Sequence, residues 1–273
     1  MSDMEENLNQ GTLPHFLVIG AQKCGTTSLI KNVDLHPDVY ITKYFLEGHT
    51  FGEVFFFDFP PQWKKGLDWY KSLFMKGKIC GEKTPNYIFK NQAMKRIHNV
   101  IPEVKLIVCL RCPVTRLISQ LNMRRMNPKR KHLMISDILN NQEYIGRGFY
   151  YSQLKENVFK YFPVEQVKII IMDEKYQLKI NDESRKLACK GNRNKGEHGK
   201  VLLDESQHTK SIMDQVFDFL DLPRIDGEFN YYYVRTTTKL EVSDKEIKLL
   251  KGIYQEENEK LFQVLGREIK SWI

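Results

Sequence analysis

Gly20-Ala-Gln-Lys-Cys-Gly-Thr-Thr-Ser28 gathers two glycines, a lysine and three hydroxyls directly behind the apolar run His15 to Gly20. A strand that ends in such a loop and feeds a helix aims free backbone N–H groups and the positive end of the helix dipole at one point, which is the chemistry of an anion site. Lys23, Cys24, Gly25, Thr26, Thr27 and Ser28 are its candidate contacts. The spacing of Gly20 and Gly25 fits the frame G-x-x-x-x-G-K-[ST], but Thr26 fills the lysine slot and Lys23 sits inside the loop. A nucleotide kinase would thereby lose its main β/γ-phosphate contact. No apolar run ends in an acid well placed for magnesium, Asp173 and Glu174 being the nearest to such a role, so the loop reads as built for a phosphate chain handled without a metal.

A second anion contact is readable further on. Arg111 closes the apolar run Val104 to Leu110, Pro113 is a favoured first-turn residue, and Ser119 falls on the helix that Pro113 opens, so Arg111 and Ser119 can face one anion. Glu53 precedes the aromatic run Phe55 to Phe57 and His49 stands four residues before it; either is a candidate base. Cys109 and Cys112 have redox-motif spacing but straddle a strand end with no second pair to hold zinc.

The elements that must position these groups follow from the apolar pattern. His15 to Gly20, Val104 to Leu110 and Gln166 to Met172 are short, β-branched runs that read as buried parallel strands, with Lys78 to Glu82 as a weaker fourth. Helical stretches are predicted at 26–35, 63–74, 91–99, 113–125 and 149–161, then at 214–220 and 243–265, the last with a capping box at Ser243 and Glu246. The alternation implies an α/β fold, a doubly wound parallel sheet flanked by helices. The 273 residues, 41% hydrophobic, suffice for a single domain, expected over 13–273 behind a disordered tail at 1–12, with 181–200 as a basic surface loop.

The formal charge of +8 attracts anions without choosing among them. No apolar run approaches the roughly 18 residues of a membrane span, and the acidic, polar opening segment is no signal peptide. Five scattered cysteines fit a reducing compartment, and the expectation is a cytoplasmic protein with no membrane partner.

GAQKCGTTSL, residues 20–29, resembles the 5′-phosphosulfate loop of the sulfotransferase family, and Arg111-Cys-Pro-Val-Thr-Arg-Leu-Ile-Ser119 resembles that family's 3′-phosphate motif. Gly52-Glu-Val-Phe-Phe-Phe-Asp58 is similar to the E-V-x-F-F-D segment of the heparan-sulfate-type branch, where the glutamate is the catalytic base, and Gly81-Glu-Lys-Thr-Pro-Asn-Tyr87 to its E-K-x-P-x-Y segment. The resemblance thus implies Glu53 as base, Lys23 at the leaving oxygen, Lys83 as a second active-site cation and His49 as the rival base. It continues through Arg147 to Leu154, Tyr161 to Pro163 and Phe217 to Pro223, nearly the whole chain in order. Two departures stand out. Phe55 replaces a histidine that the branch often carries, and the basic K-G-R-x-x-P lid is replaced by Tyr233-Val-Arg-Thr-Thr-Thr-Lys239, leaving Arg235 and Lys239 as candidate lid residues.

What the resemblance implies is a P-loop-like fold and transfer of a sulfuryl group from 3′-phosphoadenosine 5′-phosphosulfate, without a metal, to a hydroxyl or amine. The expected acceptor is a small molecule of secondary metabolism, as for a bacterial tailoring enzyme, because the chain begins directly with its catalytic domain; a heparan-type glycan is the alternative. From another class, a nucleic-acid-binding module is motivated by Arg124, Arg125, Lys129, Arg130 and Lys131, but no nucleic-acid motif accompanies them.

Overall fold

The computed structural model describes residues 11–49, 51–172, 199–201, 206–227, 229, 231–233 and 240–273. Five parallel strands, β1 (Phe16–Gly20), β2 (Val39–Ile41), β3 (Ile79–Lys83), β4 (Lys105–Leu110) and β5 (Val167–Ile171), form one sheet in the order β2-β3-β1-β4-β5. β1 is buried at every position and β4 at all but its first, which is why both read as unbroken apolar runs. A separate antiparallel pair joins β6 (Gly199–Val201) to β7 (Tyr231–Tyr233), so the last residues of the segment expected as a basic loop lie in a strand.

Helices α1 (Thr26–Val33), α2 (Pro60–Trp63), α3 (Leu67–Lys71), α4 (Asn91–Val100), α5 (Pro113–Arg125), α6 (Tyr150–Gln153), α7 (Ser206–Phe219) and α8 (Asp244–Leu265) surround the sheet. None is long and apolar enough to cross a membrane among the described residues. The doubly wound arrangement is therefore present, and α8 has the predicted capping box, with Glu246 N–H donating to Ser243 Oγ and Ser243 N–H donating to Glu246 Oε2 at 2.9 Å. Three details differ from the sequence reading. The helix predicted over 63–74 is two short turns, broken at Gly66, whose φ of +84° a continuous helix cannot accommodate. α7 starts earlier than the expected 214. β2 was not anticipated, because three residues are too few to show a period.

Strand register decides which side chains reach the carboxyl edge of the sheet. Leu17 pairs with Glu82 and Val18 with Lys83, so β3 delivers both charged residues to its carboxyl end beside the exit of β1. Gly81 permits that approach: a Cβ there would lie 2.3 Å from the Phe16 ring. Gly81→Ala is expected to lose about 1–3 kcal/mol by overpacking, read as a lower urea midpoint with an unchanged slope; a wild-type midpoint would mean that the Phe16 ring has room to move.

Candidate active site

The exits of β1, β3 and β4 lie side by side at the carboxyl edge, where an open α/β sheet places its ligands. The turn from β1 to α1 is fixed by Ala21 N–H donating to Cys109 O at 2.7 Å and Cys24 N–H donating to Ala21 O at 3.2 Å. Lys23 and Gly25 both have positive φ, 69° and 79°, a winding that gathers successive N–H groups into an anion-binding concavity. Gly25 contributes no side-chain cap to α1, and the first turn of α1 contains no acid to compete with a bound anion.

Lys83, at the end of β3, has no exposed side-chain surface. Its ammonium donates to Glu53 Oε1 at 2.6 Å and to Thr27 Oγ1 at 3.2 Å, which ties the Glu53 loop to the first turn of α1. The other carboxylate oxygen, Glu53 Oε2, lies 3.2 Å from His49 Nδ1. His49 is 42% exposed at its side chain against 13% for Glu53, and its ring packs on Phe55 with centroids 4.3 Å apart. The structure thus brings the two candidate bases together as hydrogen-bonded partners on a single carboxylate.

Burial is the main cause that lowers the Lys23 pKa from its ordinary 10.5, and Arg111 and Lys83 lower it further while Glu53 opposes them. Burial likewise lowers Lys83, against the pull of Glu53, with Lys31 adding to the repulsion. Lys23 therefore feels two further cations, Arg111 and Lys83, against one carboxylate, Glu53, and an anion beside it would relieve the excess of positive charge.

Arg111 leaves β4 with its Nε–H donating to Thr115 Oγ1 at 3.0 Å, and Ser119 is one helical turn beyond Thr115 on α5. Sequence reasoning passed over Thr115, although its four-residue spacing from both partners was visible. It also assigned nothing to Tyr150, whose hydroxyl donates to Arg111 O at 2.8 Å and lies 3.4 Å from Cys24 Sγ, bracing the exit of β4 against the phosphate loop. Cys24, Thr26 and Ser28 are buried, while Thr27 and Ser119 are partly exposed. Arg235 and Lys239 lie outside the described residues. Cys109 and Cys112, like Cys24 and Cys80, are buried, and burial holds the Cys109 thiol well above its ordinary pKa, the opposite of a reactive thiolate. Another recess, lined by Leu13, His15, Ile101, Val104 and Lys105, opens at the amino-terminal edge of the sheet, away from all of these groups.

A five-stranded parallel sheet with a glycine-bearing strand-to-helix loop after β1 and an arginine at the exit of β4 defines an α/β protein of P-loop-like fold. The sequence model described as the sulfotransferase domain matches residues 13–178, more than half the chain, and the protein belongs to that family. Human heparan sulfate glucosamine 3-O-sulfotransferase 3A1 is 30% identical over 243 residues, covering 84% of this chain and 50% of that protein. Human heparan sulfate glucosamine 3-O-sulfotransferase 6 is 41% identical over 109 residues, 39% of this chain and 29% of the relative. The chain spans about half the length, or less, of the curated relatives it matches. Among solved structures, a sulfotransferase from Alicyclobacillus acidocaldarius superposes with a TM-score of 0.69 at 21% identity, covering 96% of this chain and 99% of the other, a likeness of fold.

The depressed Lys23 pKa gives a binding test. An anion restores the lysine toward its ordinary pKa, so adenosine 3′,5′-bisphosphate should bind with proton uptake that grows as the pH rises from neutrality toward 9. Calorimetry in two buffers of different ionisation enthalpy reads that uptake, and Lys23→Met should abolish it. Equal uptake in the variant would remove Lys23 from the anion site.

Proposed function

We propose that this chain transfers a sulfuryl group from 3′-phosphoadenosine 5′-phosphosulfate to a hydroxyl or amine of a small-molecule acceptor. The observation that carries this reading is the placement of Glu53, fixed between Lys83 and His49, within the electrostatic reach of Lys23 and beside the phosphate loop. The donor supplies an activated sulfuryl group on a phosphate leaving group. The protein's residues must then take the proton from the acceptor, neutralise the charge that grows on the departing oxygen and hold the reacting groups in line.

Glu53 accepts the proton. Its carboxylate is oriented at both oxygens, so the attacking group meets an aligned acceptor of hydrogen bonds instead of a freely rotating side chain. Lys23 meets the leaving oxygen, a preorganised cation whose interaction strengthens as charge develops. Lys83 fixes Glu53 and the Thr27 hydroxyl and adds to the positive field. Arg111 with Thr115 and Ser119 grips the 3′-phosphate and sets the nucleotide's register.

For the acceptor, Phe55 supports a small molecule: an apolar ring packed on His49 stands where the heparan-sulfate-type branch often has a histidine, and Phe45 and Phe59 are 52% and 40% exposed on the same stretch of chain. The competing glycan reading is favoured by the relatives named as heparan sulfate glucosamine 3-O-sulfotransferases and by exposed Lys129, Arg130 and Lys131 beyond α5. Mass spectrometry after incubation with labelled donor decides between them. Phenols and alkaloid-like amines are expected to gain a sulfuryl group and desulfated heparan oligosaccharides none; sulfation of the oligosaccharides alone would reverse the assignment. The buried thiols of Cys24, Cys80, Cys109 and Cys112 support a reducing, cytoplasmic setting.

Glu53→Gln keeps the side chain's size but cannot accept the proton, and turnover should fall about 10²- to 10⁴-fold with bisphosphate binding retained. His49→Ala should cost less, since the carboxylate keeps its Lys83 contact. An active Glu53→Gln beside a dead, nucleotide-binding His49→Ala would make His49 the base and Glu53 the group that orients it.

A further inference from the structure

Beneath the Glu53 loop lies a second glutamate that the reaction does not use. Glu82 has no solvent exposure. Its Oε1 accepts from Tyr70 OH at 2.7 Å and Tyr87 OH at 3.0 Å, its Oε2 accepts from Thr84 Oγ1 at 2.7 Å, and it also receives the backbone N–H of Val54. Two of those hydroxyls are occupied on their other side by the Glu53 loop: Phe55 N–H donates to Thr84 Oγ1 at 3.2 Å and Phe57 N–H donates to Tyr87 OH at 3.4 Å.

A backbone N–H can only donate, so Thr84 and Tyr87 accept from the loop and keep their own protons for Glu82. Glu82 therefore meets four donors, which matches the acceptor-only capacity of an ionised carboxylate. Burial opposes that ionisation and lifts the carboxyl to about 7, while the hydroxyl donors and Val54 N–H work the other way.

We propose that Glu82 is the positioning residue of the active site, its four accepted hydrogen bonds holding Val54, Phe55 and Phe57 and so fixing where Glu53 presents its carboxylate. Phe55 shows what is being held. It has a φ of +58°, a left-handed conformation uncommon for a bulky residue, and its N–H is the one bound to Thr84. This sharp turn follows Glu53 by two residues. A glutamine at 82 brings an amide donor into a shell of donors, so at least one hydroxyl loses its acceptor and the packing that carries the loop N–H groups must readjust.

This inference rests on Glu53 being the group that takes the acceptor's proton. Glu82→Gln is expected to bind adenosine 3′,5′-bisphosphate with wild-type affinity while kcat falls about tenfold or more, the cost of a misplaced catalytic group. Thr84→Val, which cuts only the link to Phe55, should reproduce that split between kcat and nucleotide affinity and keeps the test available if Glu82→Gln does not fold. Leu250→Ala, a truncation of a buried side chain on α8, which contributes no residue to the proposed site, is the control for lost stability: its melting temperature drops and its kcat stays, measured well below the transition. Wild-type kcat in Thr84→Val or in a folded Glu82→Gln, with Glu53→Gln inactive, overturns the positioning role alone. A kcat loss in Leu250→Ala as deep as in Glu82→Gln also overturns it, since stability would then account for both. A fully active Glu53→Gln instead overturns the reading of Glu53, and with it the need for a positioned carboxylate.

Discussion

Lys83 carries its charge on a side chain with no exposed surface, and the loops at this end of the sheet are arranged around that fact. A buried ammonium without a counterion would cost several kcal/mol or lose its proton; burial does depress its pKa, and Glu53, 2.6 Å away, is the main force restoring it. The pairing obliges the chain after β2 to return to the end of β3, where Lys83 N–H donates to Gly52 O at 3.0 Å. From that anchor the Glu53 loop, the first turn of α1 through Thr27 and the exit of β3 become one unit. As a source of stability such a pair is worth little, because well-packed apolar residues would do as well. Its value lies in direction: a carboxylate held by a buried cation points one way.

Two lysines of the site consequently differ in kind. Lys83 has its hydrogen bonds filled by Glu53 and Thr27 from beneath the loop. Lys23 sits in the loop itself, in a left-handed conformation, and burial and the neighbouring cations Arg111 and Lys83 all lower its pKa. Repulsion of this kind is relieved by an anion, so under the proposed function the cluster favours a phosphosulfate-like group more than the same charges spread over a surface would. Tyr150 keeps the arrangement from spreading, since it holds Arg111 and Cys24 to their separate strands' exits at once.

Much of this was legible in the sequence because it was written in local patterns. Runs such as Leu17-Val-Ile and Leu106-Ile-Val declare buried parallel strands, the glycine spacing at 20 and 25 declares the loop, and Ser243 with Glu246 declares a helix start. β2 escaped because three residues carry no period, and the break at Gly66 escaped because a lone glycine does not announce its φ. The contact between His49 and Glu53 escaped for another reason. Sequence presents two candidate bases four residues apart, and only the closure of the loop sets the His49 ring against the Glu53 carboxylate. Glu82 was visible only as a neighbour of Lys83, since its hydroxyl partners at 70, 84 and 87 converge through the packing of α3 and the turn after β3.

Adjacent residues on β3 thus hold the same loop by different routes. Lys83 holds the side chain of Glu53, and Glu82 holds the backbone that follows it. Neither contact substitutes for the other: a side chain fixed to a wandering backbone, or a fixed backbone with a free side chain, leaves the carboxylate with a range of directions too broad for in-line transfer. The positive φ of Phe55 is the visible cost of satisfying both at once, because only a sharp turn after Val54 lets the carboxylate reach Lys83 while the next N–H groups reach the hydroxyls around Glu82. The same turn sets the Phe55 ring against His49. The constraint that orients the proposed base therefore also shapes the apolar wall beside it, and a change of acceptor preference through Phe55 would act on the alignment of Glu53 as well.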